Sequence, residues 1–197
     1  MRKRRWDIFL AAGLLALASG CISMPGAQQA SARVPADRLA PTPDPRIFSC
    51  LSPPERNDTV EALVVPPVGW TAQPLKHSNR HDHQIWLSPS GSTAYGVIRF
   101  KLPLPLSPET VLQKGFLPEM RRTEGEATLL SSERDPTLPG LRFVAEGGKH
   151  IVRTNLTTRG FKGWAVYAGT LRDKPEVPDE LAIAELAREQ TAVGLPK

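Results

Sequence analysis

QIWLSPSGSTAYGVIRFKLPLPLSPE, residues 84–109, contains a change from one hydrophobic period to another. In Gln84 to Ser88, Ile85 and Leu87 fall on one side and Trp86 on the other, which is the two-residue period of a strand. Ser88-Pro89-Ser90-Gly91 supplies turn residues. Thr93 to Leu102 follows as a longer strand carrying Tyr95, Val97, Ile98 and Phe100, so the two strands predict a hairpin. Pro103 and Pro105 end the second strand, because proline has no amide to give a ladder. Ser107-Pro108-Glu109 then has the form of a helix start: a side-chain oxygen as N-cap, a proline in the first turn and an acid at the positive end of the dipole.

Downstream, Val111, Leu112, Phe116 and Met120 form a helical stripe that Gly115 and Pro118 should kink or split, with Gly125 closing it. Ala127 to Glu133, Leu141 to Glu146, Ile151 to Arg159 and Gly163 to Leu171 read as consecutive strands. Turn-forming Asp135-Pro136, Gly147-Gly148 and Arg159-Gly160 separate them, which predicts an antiparallel meander. Asp179 to Ala192 reads as an amphipathic helix with Leu181, Ile183, Ala184, Leu186, Ala187 and Val193 on its buried side and Gly194 as the stop. Upstream, Ala62 to Val65 is a short apolar run halted by Pro66-Pro67, and Trp70 to Leu75 forms a second short strand. The fold class that follows is α+β, an antiparallel sheet with two main helices packed on it, in one domain over residues 60–197.

This order, with the Gly69-Trp70 opening and the WLSPSG hairpin at Trp86 to Gly91, resembles the PsbP-like domain, including its DcrB-like envelope lipoprotein members. The resemblance implies a sandwich of helices on sheet over about residues 60 to 195. It also implies action largely through protein contacts.

The first twenty residues follow a different logic. Arg2, Lys3, Arg4 and Arg5 make a positive head, and Ile8 to Ala18 is almost wholly apolar but too short to span a bilayer comfortably. Small Ser19 and Gly20 precede a cysteine, so Leu17-Ala18-Ser19-Gly20-Cys21 resembles the lipobox of bacterial lipoproteins. That implies a signal peptide at 1–20, cleavage before Cys21, and thioether-linked diacylglycerol with acyl chains such as palmitate on that cysteine. Ala18 stands where leucine is commonest. Ile22 is not the aspartate of an inner-membrane retention signal, so the expected location is the cell membrane or outer membrane, facing the periplasm or exterior. Residues 21–59 are rich in Pro, Ala, Ser and Gln and poor in large apolar side chains, and read as a flexible tether. The alternative is that Ile47, Phe48 and Leu51 dock on the domain as an extra strand.

Of 25 basic and 20 acidic residues, four and one lie in the leader, so the remainder is near +2. That balance, with no aromatic-interleaved basic run, predicts no nucleic-acid partner. Cys21 and Cys50 are the two cysteines; if lipid takes the first, no intramolecular disulfide remains.

Three features carry possible chemistry. His77, His81 and His83, around Asp82, are ligand types for zinc, copper or nickel if their loop folds back. Lys76 and Arg80 oppose a cation there. On an extended strand His81 and His83 would share a face while Asp82 points away, leaving a weak chelate or a solvated polar loop. Trp70, Trp86, Trp164 and Tyr167, with Tyr95, are either core and cross-strand pairs or, where two stand exposed together, a binding face. Ser90-Gly91-Ser92 is a turn rather than a nucleophile elbow, and Gly147-Gly148-Lys149 a hairpin turn rather than a phosphate loop. His150 reads as an edge-strand residue, and Glu124, Glu126, Asp173 and Glu176 as solvated charges. No catalytic constellation emerges, and no cofactor beyond the covalent lipid is implied. The expectation is a membrane-anchored envelope lipoprotein acting as a non-catalytic binding or assembly module for an envelope protein. A metal or small-ligand binder using the His77 to His83 loop is the alternative, and an enzyme stays open because catalytic groups converge from distant positions.

Overall fold

The computed structural model describes residues 45–134 and 140–194. The leader, Cys21, most of the expected tether and the Asp135-Pro136 turn lie outside the described residues. The chain is α+β, with all its strand pairs antiparallel. A short helix α1 (Pro45–Phe48) precedes β1 (Glu55–Asn57), β2 (Ala62–Val64), β3 (Thr71–Ala72), β4 (Lys76–His77), β5 (His81–Leu87) and β6 (Thr93–Lys101). Next come α2 (Pro108–Val111), a π-helical turn (Leu112–Phe116) and α3 (Leu117–Glu124). The meander is β7 (Ala127–Arg134), β8 (Gly140–Gly147), β9 (His150–Arg159) and β10 (Lys162–Leu171), followed by α4 (Pro178–Gln190) and β11 (Ala192–Val193).

The main sheet runs β3-β5-β6-β10-β9-β8-β7, with β4 also on β5, and β1-β2-β11 form a small second sheet. The hairpin and the meander therefore join through β6 and β10, whose register sets Ile98 opposite Ala165 and Val97 opposite Val166. Alternation then sorts the side chains. Ile98, Phe100, Leu141, Phe143, Val152 and Leu156 face α2, the π turn and α3, which bring Val111, Leu112, Leu117 and Met120. Tyr95, Val97, Val166 and Ala168 face the other way, against Leu181, Ala184 and Ala187 of α4 and Val60, Ala62 and Val64 around β2. Phe143, 2% exposed, illustrates what holds the first layer: its truncation to alanine would cost about 3–5 kcal/mol.

Local chemistry explains the helix ends. Ser107 Oγ accepts from the Thr110 amide at 3.2 Å, and Gly125 donates to the Arg121 carbonyl at the far end. The predicted interruption takes the form of a π turn, in which the Leu117 amide donates to the Leu112 carbonyl. Pro118 has no amide for the carbonyl of Lys114, and widening the preceding turn accommodates that loss.

Three expectations are corrected. The domain reaches upstream of Val60: α1 and β1 belong to it, Leu51 packs on the second core, and the Cys50 carbonyl accepts from the Val68 amide. The run from Trp70 to Leu75 keeps just two strand residues, Thr71 and Ala72. The last helix ends at Gln190, and Ala192 and Val193 leave it to pair with β2.

Candidate functional site

The expected His77 to His83 loop is mostly strand. Lys76 and His77 pair with His83 and Asp82, and β5 begins at His81. His81, Asp82 and His83 are all buried. As alternation requires, His81 and His83 share the helix α3 side while Asp82 faces α4. Each imidazole has its own bond. His77 Nδ1 meets Asp82 Oδ1, His81 Nδ1 lies 3.0 Å from Ser78 Oγ, and His83 Nε2 lies 2.8 Å from the Tyr167 hydroxyl. Among the described residues no cluster of three metal-ligating side chains forms, so the structure does not bring His77, His81 and His83 to a common point.

The His83–Tyr167 bond depends on a missing side chain on β6, the strand between them. Tyr167 stands opposite Gly96, and a Cβ at Gly96 would lie 2.5 Å from the tyrosine ring. The ring can therefore lie across β6 and reach β5. Burial, followed by the Lys76 and His81 charges, lowers the His83 pKa to about 3, and burial pushes the Tyr167 phenol up. Both groups are neutral across the physiological range and form a structural bond. Burial likewise lowers His81.

On the opposite side of the sheet an ion chain links distant parts of the sequence. Asp82 accepts from Arg99 Nε at 2.9 Å. Arg99 Nη1 donates to Glu61 Oε1 at 2.6 Å, and Lys162 Nζ reaches both Glu61 oxygens at 2.9 Å. Glu61 carries the one positive φ among described non-glycine residues, 51°, a conformation that costs about 1–3 kcal/mol. Burial opposes its ionisation, but the Lys162 hydrogen bond and the Arg99 and Lys162 charges outweigh it and hold the carboxyl below its ordinary value. The chain pins the turn before β2 to the main sheet.

Beyond Glu61 the charges stop balancing. Lys162 stands opposite Lys101 on one side and Arg159 on the other, and the Lys101 amide bonds the Arg80 carbonyl at 2.9 Å. Residues in register share a face, so β6, β10 and β9 carry a cross-strand row of cations with Arg80 at its margin. Like charges placed opposite each other destabilise a sheet. Lys162 is relieved by Glu61 and Arg159 bonds the Gly194 carbonyl at 3.2 Å, while Arg80 and Lys101 stand exposed.

The remaining candidates are structural. Trp86, Trp164 and Tyr167 are buried: Trp86 stacks on Tyr95 at 5.0 Å, and Trp164 Nε1 donates to the Val60 carbonyl at 3.0 Å. Half-buried Trp70 packs on the same core. The four therefore make core, not an exposed aromatic face. His150 is corrected from edge to interior, since β9 lies between β10 and β8, and Glu124 from solvated to buried. Glu124 Oε1 meets His150 Nδ1 at 2.7 Å with both side chains 2% exposed, and its other oxygen accepts from the Lys149 amide at 3.0 Å.

Glu61, Arg99 and Lys162 carry no mark in the sequence as a group, for their contacts span 38 and 101 positions. The available signal is Arg99 itself, a charge inside the apolar run Val97-Ile98-Arg99-Phe100. In comparison with known proteins, no family model matches the chain and no curated protein matches it.

Proposed function

We propose that the chain is an exported lipoprotein, held to a bacterial cell membrane or outer membrane by lipid on Cys21, whose domain is a non-catalytic binding or assembly module for another envelope protein. One observation carries the non-catalytic part: the domain uses its reactive side chains as fasteners. His83 is fixed on Tyr167, Glu124 on His150, and Asp82 and Glu61 on Arg99, each bond joining separate elements. A general base needs a lone pair within reach of a substrate proton, and these carboxylates face their own fold. The basic head, short apolar run and Leu17–Cys21 residues support the anchor. The PsbP-like or DcrB-like sandwich belongs to the same proposal, supported by the order of hairpin, helix, meander and final helix.

Crosslinking in intact cells, followed by affinity purification of the full-length chain, tests this reading with Cys21→Ser as control. A stoichiometric envelope protein captured by the parent and lost in the control is the expected result. Capture of nothing, under conditions that retain known envelope complexes, contradicts the module. Undiminished sedimentation of Cys21→Ser with membranes contradicts the lipid.

A further inference from the structure

At the same end of the main sheet as the cation row, two loops leave large apolar side chains in water. The β9–β10 turn consists of Gly160 and Phe161, because Arg159 and Lys162 already pair. Gly160 has φ 58°, the conformation that lets a two-residue turn follow the twist of its strands. Phe161 occupies the other central position and is 61% exposed. No turn geometry asks for a phenylalanine there. Leu104, 50% exposed, sits between Pro103 and Pro105, whose fixed φ angles hold that segment extended at little entropic cost. The two loops are neighbours, since the Leu102 amide donates to the Phe161 carbonyl at 2.8 Å. Arg80 and Lys101 adjoin through their own backbone bond. Asp58, an exposed acid in the turn before Glu61, is held by Arg56 at 2.6 Å, and Glu61 and Asp82 are buried in the ion chain.

Exposed apolar fingers beside Arg80 and Lys101, cations without an acidic partner among the described residues, form a surface complementary to an anionic lipid bilayer, where rings enter the headgroup boundary and basic side chains meet phosphate. We propose that this end of the sheet, formed by Arg80, Lys101, Leu104, Arg159 and Phe161, docks directly on anionic membrane and so orients the domain. The proposal rests on the anchored reading for bringing the domain to a bilayer, but the lipid affinity belongs to the tip.

The test is amide hydrogen exchange of the full chain reconstituted into vesicles of phosphatidylcholine alone, or of phosphatidylcholine with phosphatidylglycerol. Retention on phosphatidylcholine reports the N-terminal anchor. Peptides covering 101–107 and 159–163 report the tip, and should exchange at least tenfold more slowly on the phosphatidylglycerol vesicles. The protection should disappear in 0.5 M KCl and in an Arg80→Glu, Lys101→Glu variant, and weaken in Phe161→Ser. Equal exchange at the tip on both lipids, with the chain retained on both, overturns the proposal. Protection that arises solely when solubilised membrane proteins are added also overturns it, and assigns the face to an acidic protein. If phosphatidylcholine does not retain the chain, the anchor reading fails; cosedimentation with phosphatidylglycerol vesicles that the double variant abolishes would still support the tip, and its absence would overturn it.

Discussion

At one end of the main sheet Glu124 and Glu180 reach from helices into the turns at Gly147–His150 and Ser88–Ser92; at the other, Phe161 and Leu104 stand in solvent beside Arg80, Lys101 and Arg159. The first end is closed by charge. Glu180 Oε1 accepts from the Ser90 amide at 3.1 Å, Lys174 Nζ donates to the Gly91 carbonyl at 3.0 Å, and Arg172 Nη1 to the Gly147 carbonyl at 2.9 Å. Even space is committed there, since a Cβ on Gly148 would lie 2.4 Å from the Glu124 carbonyl oxygen. The second end spends its acids on internal pinning and leaves cations outside. Turns fastened from within stabilise the fold, whereas a turn that exposes apolar and basic groups gains nothing from folding and is available for contact.

The largest expected effect lies at the closed end. Glu124→Ala removes the acceptor for two turn amides and for the buried His150 imidazole, and should lower unfolding free energy by about 3–5 kcal/mol in urea titration. A loss under 1 kcal/mol would remove the contrast between the ends.

Next comes pH. The folded His83 is held to about 3, while an unperturbed imidazole titrates near 6.5. The unfolded chain therefore takes up this proton first as pH falls. The His83 contribution is fully present above about pH 6.5 and drains away between there and pH 3, amounting to about 2 kcal/mol from pH 6.5 to pH 5. His81 is shifted in the same direction. Denaturation midpoints across that range should show the slope, and His83→Gln should flatten it.

Glu180→Ala should cost about 1 kcal/mol, through lost bonds to the hairpin turn. Burial opposes ionisation of Glu180, yet its bonds to the serine turn prevail and hold its pKa below the ordinary value. The smallest effect has the opposite sign. Lys101→Glu should raise stability by about 0.5 kcal/mol at low salt by relieving the cation row, and the gain should shrink with added salt. Loss of stability there would mean that the row is a fastener too.

Much of this architecture was legible in local pattern. The hairpin around Ser88–Gly91 and the meander alternate apolar and polar residues between turn formers, and Ser107-Pro108 starts its helix as capping chemistry requires. What stayed hidden was decided by distant partners. His81-Asp82-His83 reads as a solvated stretch because nothing nearby announces Tyr167, 84 positions from His83, or Arg99. The β1 strand was hidden among polar residues and docks because β2 offers an edge, whereas Leu51, named in the alternative reading of the tether, bridges Pro67. Glu124 read as an ordinary helix-end acid, since its burial depends on a glycine turn 23 residues later. The exposed tip was hidden for the converse reason: nothing local tells that Phe161 and Leu104 stay uncovered by the rest of the fold.

The most direct measurement places a photoreactive benzoylphenylalanine at Phe161 or at Ser90 in the full chain and irradiates intact cells. The contrast between the two ends predicts strong crosslinking to lipid from position 161 and none from position 90. Equal crosslinking from both positions, or none from position 161, would contradict it.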